Sequence, residues 1–188
     1  TIFVVGTCTP EIMGTDVGCE VSKMDLPDAG IIVVPENKVF LGSKFGGFRE
    51  AVFALASMID RSRSVEPGTA AILSFEINCA THRGKKQNMD MFAEMLEDYG
   101  IRLKTFIRDI TTIDEIRDLA TCEHLIQISH GSMPDLMSKI LFPEREVIVM
   151  DPPMSMDEIG EWCDMLSKLT GNRGNGYYER KKAEYDME

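Results

Sequence analysis

The sequence has no excess of basic side chains. Twenty Lys and Arg stand against 31 Asp and Glu, a formal charge of −11. Nucleic acid and anionic membrane surfaces both need a basic footprint, so neither is an expected partner. No apolar run reaches membrane-spanning length. No basic region precedes the first apolar residues, so no secretory signal is read. There is no CxxC pair: the five cysteines, Cys8, Cys19, Cys79, Cys122 and Cys163, lie far apart. Their odd number argues against a disulfide framework, and none of them completes a zinc or iron–sulfur motif within the chain. No internal repeat stands out. These absences leave a soluble, cytoplasmic globular protein as the expectation.

What is present is alternation. The 188 residues are 44% hydrophobic, an ordinary content for a globular protein. The thirteen methionines read as flexible core filler. Thr1 opens directly inside the apolar run "TIFVV", which reads as a fragment, a processed chain or a chain whose upstream part is missing. Residues 1–6 are strand-like, and 9–23 read as a helix or turn-helix. "AGIIVVPEN" (29–37) is a buried-strand pattern stopped by Pro35, and 49–61 has helical content. "SRSVEPGT" (62–69) is polar, holds Pro67 and Gly68, and reads as a linker.

From Ala70 the pattern is regular. Strands are read at 70–77, 101–107, 124–129 and 146–150. Between them, Met89, Phe92, Leu96 and Tyr99 recur at helical spacing, and Gly100 ends that helix. Thr112 with Glu115, and Ser155 with Glu158, form capping-box patterns. A short helix is read from Ser132 to about Leu141. Ile159, Trp162, Leu166 and Leu169 mark one face of the last regular helix. Residues 70–170 therefore read βαβαβαβα, an α/β fold of parallel sheets with helices on both faces, Rossmann-like. The expected domains are 1–66, carrying the Cys8 loop and the GSK loop, then 67–170, then a charged extension, 171–188.

Ligands in such sheets sit at the carboxyl ends of the strands, so four loops carry the chemistry. "GTCTPEIMG" (6–14) puts Cys8 where a strand gives way to a helix. A helix N-terminus favours a thiolate, which suits metal ligation or nucleophilic chemistry. A buried structural cysteine is the commoner fate of the residue type, and no paired histidine marks a cysteine protease. "NKVFLGSKFGGFRE" (37–50) brings Ser43, Lys44 and Arg49 among three glycines, where backbone amides and cations can approach an anion. The order is not that of a Walker loop, and a flexible connection would look the same. "NCATHRGKKQN" (78–88) gathers Cys79, His82, Arg83, Lys85 and Lys86 in an otherwise acidic chain. It fits an anionic cofactor or a solvated charged loop equally well. "SHGSMPD" (129–135) places His130 at a strand end, where it can ligate metal, move protons or simply hydrogen-bond. His124, at the other end of that strand, reads as structural.

Taken in order, "VGTCTPEIMGTDV", "GIIVVPENKVFLGSKFGGFREAVFAL" and the strand–helix series from Ala70 resemble nitrogenase component 1-type subunits over about residues 1–170. The cysteine stretch followed by "LGSKFGGFR" carries the resemblance, and the loop is most similar to that of the cofactor-assembly scaffold subunit. Relatives include subunits of the dark-operative protochlorophyllide reductase and of the nickel-tetrapyrrole reductase. The resemblance implies that Cys8 is one thiolate ligand of an iron–sulfur cluster shared with residues outside this chain. It implies a homologous partner subunit, and an ATP-dependent iron–sulfur reductase protein as a further partner. Near the strand end at Ser129 the family places a cysteine for a larger iron–sulfur cofactor or its precursor; here His130 falls there, a departure from the pattern. The family also has a third α/β domain that this sequence does not supply, so nitrogen reduction by this chain alone is not expected. The functions implied are metal-cofactor assembly or cluster-mediated electron transfer within a hetero-oligomer. The alternatives are a non-catalytic assembly module on the same fold and a subunit of a nitrogenase-like tetrapyrrole reductase. An unrelated α/β enzyme with a Cys8 nucleophile ranks below these.

Overall fold

A computed structural model of the protein describes residues 1–6, 8–24, 30–34, 44–74, 85–107, 111–128 and 139–187, with backbone alone at 8, 11, 44–48 and 85–88. The chain divides into two compact units, Thr1–Met58 and Ile59–Glu188.

In the first unit, β1 (Ile2–Val5) and β2 (Ile31–Val34) pair in parallel, Ile2 against Ile31 through Val5 against Val34. Parallel pairing needs a crossover connection, and two helices lie within it. They are α1 (Cys8–Ile12) and α2 (Val17–Ser22). Gly14 turns the chain between them at φ +71. Asp16 then caps α2, its carboxylate accepting from Cys19 N at 2.9 Å. The helix α3 (Lys44–Ala56) follows β2 in the same unit.

The second unit is built on a four-stranded parallel sheet. Its strands are β3 (Glu66–Ser74), β4 (Arg102–Ile107), β5 (Cys122–Ile128) and β6 (Ile148–Met150), in the spatial order β4-β3-β5-β6. The helix α4 (Lys85–Asp98) joins β3 to β4, and α5 (Ile113–Asp118) joins β4 to β5. The helices α6 (Met156–Thr170) and α7 (Tyr177–Met187) close the chain. Thr112 and Glu115 make the expected capping box, Thr112 Oγ1 accepting from Glu115 N at 3.2 Å and Glu115 Oε2 from Thr112 N at 2.7 Å. At α6 the box is displaced by one residue: Glu158 Oε2 accepts from Met154 N at 2.7 Å, while Ser155 still caps Glu158 N.

β3 begins four residues earlier than its apolar run, inside the stretch read as a linker. Pro67 has no N–H for a ladder, so the strand takes it where the pairing with β5 is irregular, between Glu66 and Ala70. Gly68 adopts φ +69 there, and its N–H is held by Glu123 Oε2 at 2.5 Å. The helix read over 132–141 lies outside the described residues except for its last turn, 139–141.

Side chains on one sheet face, Ala70 and Ile72 of β3 with Ile126 and Ile128 of β5, pack with Phe92, Met95 and Leu96 of α4 and Trp162 and Leu166 of α6. Phe92 stacks obliquely on Trp162, ring centroids 5.0 Å apart, and Trp162 Nε1 donates to Asp151 O at 2.7 Å. The alternate residues Ala71, Leu73 and Leu125 are buried as well. A parallel sheet buried on both faces explains why the centre of β3, Ala70 to Leu73, is apolar at every position rather than every second one.

Candidate functional site

Strand order positions the loops of this unit. From β3 the chain goes out to β4 on one side, then returns to β5 on the other, so β3 and β5 leave in opposite directions. Ser74 and Ile128, the last residues of the two strands, are register partners. Such a point in an open α/β sheet, at the strands' carboxyl ends, is where ligands bind. Arg83 follows Ser74 in the chain and His130 follows Ile128, and both lie outside the described residues, as does Ser43.

The remaining candidates are placed by their backbones or side chains. Cys8 is the first residue of α1, three positions after β1 ends at Val5. This is the strand-to-helix junction that its sequence context indicates. Lys44 opens α3 and Lys85 opens α4, and neither helix has an acidic residue in its first turn. By contrast α5 carries Asp114 and Glu115 there, and α6 carries Asp157 and Glu158. Acidic side chains satisfy the positive end of a helix, so α5 and α6 carry their own compensating charge. Arg49 lies along α3 with its guanidinium half exposed, its Nη2 3.1 Å from Glu50 Oε1. His124 is largely buried, with Nε2 3.7 Å from Glu123 Oε2.

The other described cysteines differ in their chemistry. Cys122 and Cys163 are buried, and burial pushes both thiols up, away from the thiolate form that metals need. Cys19 is exposed on α2. Among the described residues no group of three or more His, Cys, Asp or Glu side chains could hold a metal ion. An iron–sulfur cluster requires several thiolates to converge. The described residues alone therefore do not fit a complete cluster, and no electron-transfer step follows from them. Among the described residues no helix is long and apolar enough to cross a membrane.

The family profile described as nitrogenase component 1 type oxidoreductase matches residues 1–188. The chain belongs to that family. No curated protein matches it significantly. The nitrogenase component 1-type match agrees with the parallel sheets and covering helices described above.

Two features of this nitrogenase-type chain were not legible in its sequence. Gln127, one residue before β5 ends, is 2% exposed, and its Oε1 has no hydrogen-bond partner among the described residues. An unpaired buried amide oxygen costs about 1–3 kcal/mol, and no pattern in "HLIQIS" announces it. The second is a polar cluster on Asp98 at the end of α4. Asp98 accepts from Asn175 N at 2.7 Å, Tyr177 N at 3.1 Å and Arg180 Nη2 at 2.8 Å. The glycines of "GNRGNGYYER" were its one visible signal.

Proposed function

We propose that the chain is a nitrogenase-like iron–sulfur protein subunit that works in a hetero-oligomer, either in metal-cofactor assembly or in cluster-mediated electron transfer. The observation that carries this reading is the family match over residues 1–188, which includes the Cys8 stretch at its strand-to-helix junction. Cys8 would supply one thiolate to a cluster completed by a homologous partner subunit and by residues outside this chain. The cluster, when bound, would supply one-electron chemistry. Lysines that open α3 and α4, without acidic residues in either first turn, support an anionic group near those helix ends. Ser43, Lys44, Arg49, Arg83, Lys85 and His130 are the residues proposed to face such a cofactor or its precursor. An ATP-dependent iron–sulfur reductase protein would be the electron source in the electron-transfer version.

A non-catalytic assembly module is the second reading. The buried, thiol-form Cys122 and Cys163 favour it, because they leave fewer of the chain's cysteines for ligation. Anaerobic purification with the natural partners, followed by iron and acid-labile sulfide assay, separates the two. Wild type should carry both, and Cys8→Ala should lose a large part of them. Equal iron in both proteins would remove Cys8 as a ligand. No iron in either would favour the non-catalytic module.

A further inference from the structure

Three glycines in six residues reverse the chain after α6. Gly171, Gly174 and Gly176 all have left-handed backbones, φ +68, +70 and +87. Gly174 is also pressed against α4: a Cβ there would lie 2.7 Å from Asp98 Oδ2 and 2.9 Å from Tyr99 Cζ. The turn presents the N–H groups of Asn175 and Tyr177 to the Asp98 carboxylate. That side chain is only 4% exposed and also holds Arg180. The ring of bonds closes on itself. Asn175 Nδ2 donates to Asp98 O at 3.0 Å, and Arg180 Nη1 donates to Asn175 O at 2.7 Å. Tyr177 is fully buried in the core that also contains Phe92, Met95 and Trp162.

Beyond this cluster α7 is held by Tyr178, whose ring packs on the core beside Gly160 of α6, and residues 182–187 are exposed. Further along α7, Tyr185 is 69% and Met187 81% exposed, and Lys181 reaches Glu94 only at 3.6 Å. Its described residues form no apolar stripe, and a helix without one gains little from packing along its length. Docking therefore rests on one end. We propose that residues 174–187 form a strap that docks and releases as one unit, with Asp98 as its latch. Release withdraws Tyr177 and opens its socket in the core, while the sheet stays folded. The attachment gathers at the start of α7: the buried Asp98 carboxylate, the buried Tyr177 ring with its hydroxyl donating to Met91 O at 3.4 Å, and the partly buried Tyr178 ring beside Gly160 of α6.

Hydrogen exchange at neutral pH, with Trp162 fluorescence alongside, tests this on the full chain. In Asp98→Asn the amides of 177–187 should exchange at least about tenfold faster, the loss expected for one charge-assisted bond. Amides of β3 and β5 should keep their rates, and the emission of Trp162, the chain's single tryptophan, should move to the red. Arg180→Ala, which alters a half-exposed guanidinium and so spares the fold, should accelerate the same segment by less. Unchanged exchange of 177–187 in both variants would overturn the latch. Acceleration spread equally over β3, β5 and α7 in Arg180→Ala would overturn the separate unit.

Discussion

β1 and β3 have the same kind of sequence and opposite surroundings. β1 is Ile-Phe-Val-Val, and the centre of β3 is Ala-Ala-Ile-Leu. Residues 70–73 of β3 are all 0% exposed, whereas Ile2 is 45%, Phe3 39% and Val5 67% exposed. β3 lies between β4 and β5 with both faces covered; β1 has β2 as its one neighbour among the described strands. An apolar run thus reports that a strand can be buried on both faces, not that it is. Burial depends on how many neighbours the fold brings to it.

Three measurements sharpen that contrast, and the largest effect belongs to the second unit. Trp162→Ala removes the ring on which Phe92 stacks and should cost about 3–5 kcal/mol in thermal or denaturant unfolding of that unit. A loss below about 1 kcal/mol would mean that the core tolerates a void, against its close packing.

A smaller effect follows from Asp98. Burial raises its carboxyl pKa, but the hydrogen bonds from Arg180, Asn175 and Tyr177 outweigh burial and hold it below the ordinary value. A depressed pKa in the folded state means that the unfolded chain binds the proton first. The stabilisation is complete above about pH 4 and is lost as pH falls through the lowered value. Glu94, Glu97, Lys181 and Glu184 line the same groove between α4 and α7. Asp98→Asn should flatten its own share of that limb while leaving stability between about pH 5 and 8 parallel to wild type. An unchanged acid limb in the variant would remove Asp98 from the account.

The smallest effect is expected in the first unit. Val5→Thr replaces a methyl group on an exposed strand position and should change stability by no more than about 0.5 kcal/mol. The same kind of change at Ile72, Ile72→Thr, would bury a hydroxyl in the core. A large loss at Val5 in the isolated chain would show that β1 is covered, and the contrast with β3 would fall.

Much of this was legible beforehand because it rests on local rules. Capping at Thr112 and Ser155, the Gly100 stop and the apolar face of α6 each depend on residues within one or two turns. The Cys8 junction was readable for the same reason, since an apolar run meeting Gly6 and Thr7 ends a strand wherever it folds. Strand order, the pairing of Ser74 with Ile128 and the Asp98 cluster were not readable. Asp98 and Arg180 are 82 positions apart, and no short spacing rule connects them.

By itself, the sequence determined the α/β alternation, the capped helix starts at Thr112 and Ser155 and the acidic character, because each follows from periodicity, capping or a sum of charges. Tertiary structure alone decided that β3 and β5 leave the sheet side by side. It also decided that "EPGT" starts a strand rather than linking domains, and that the glycine-rich tail is bound to α4. Those outcomes depend on which distant backbones meet, and contacts between distant residues are made by the folded chain as a whole.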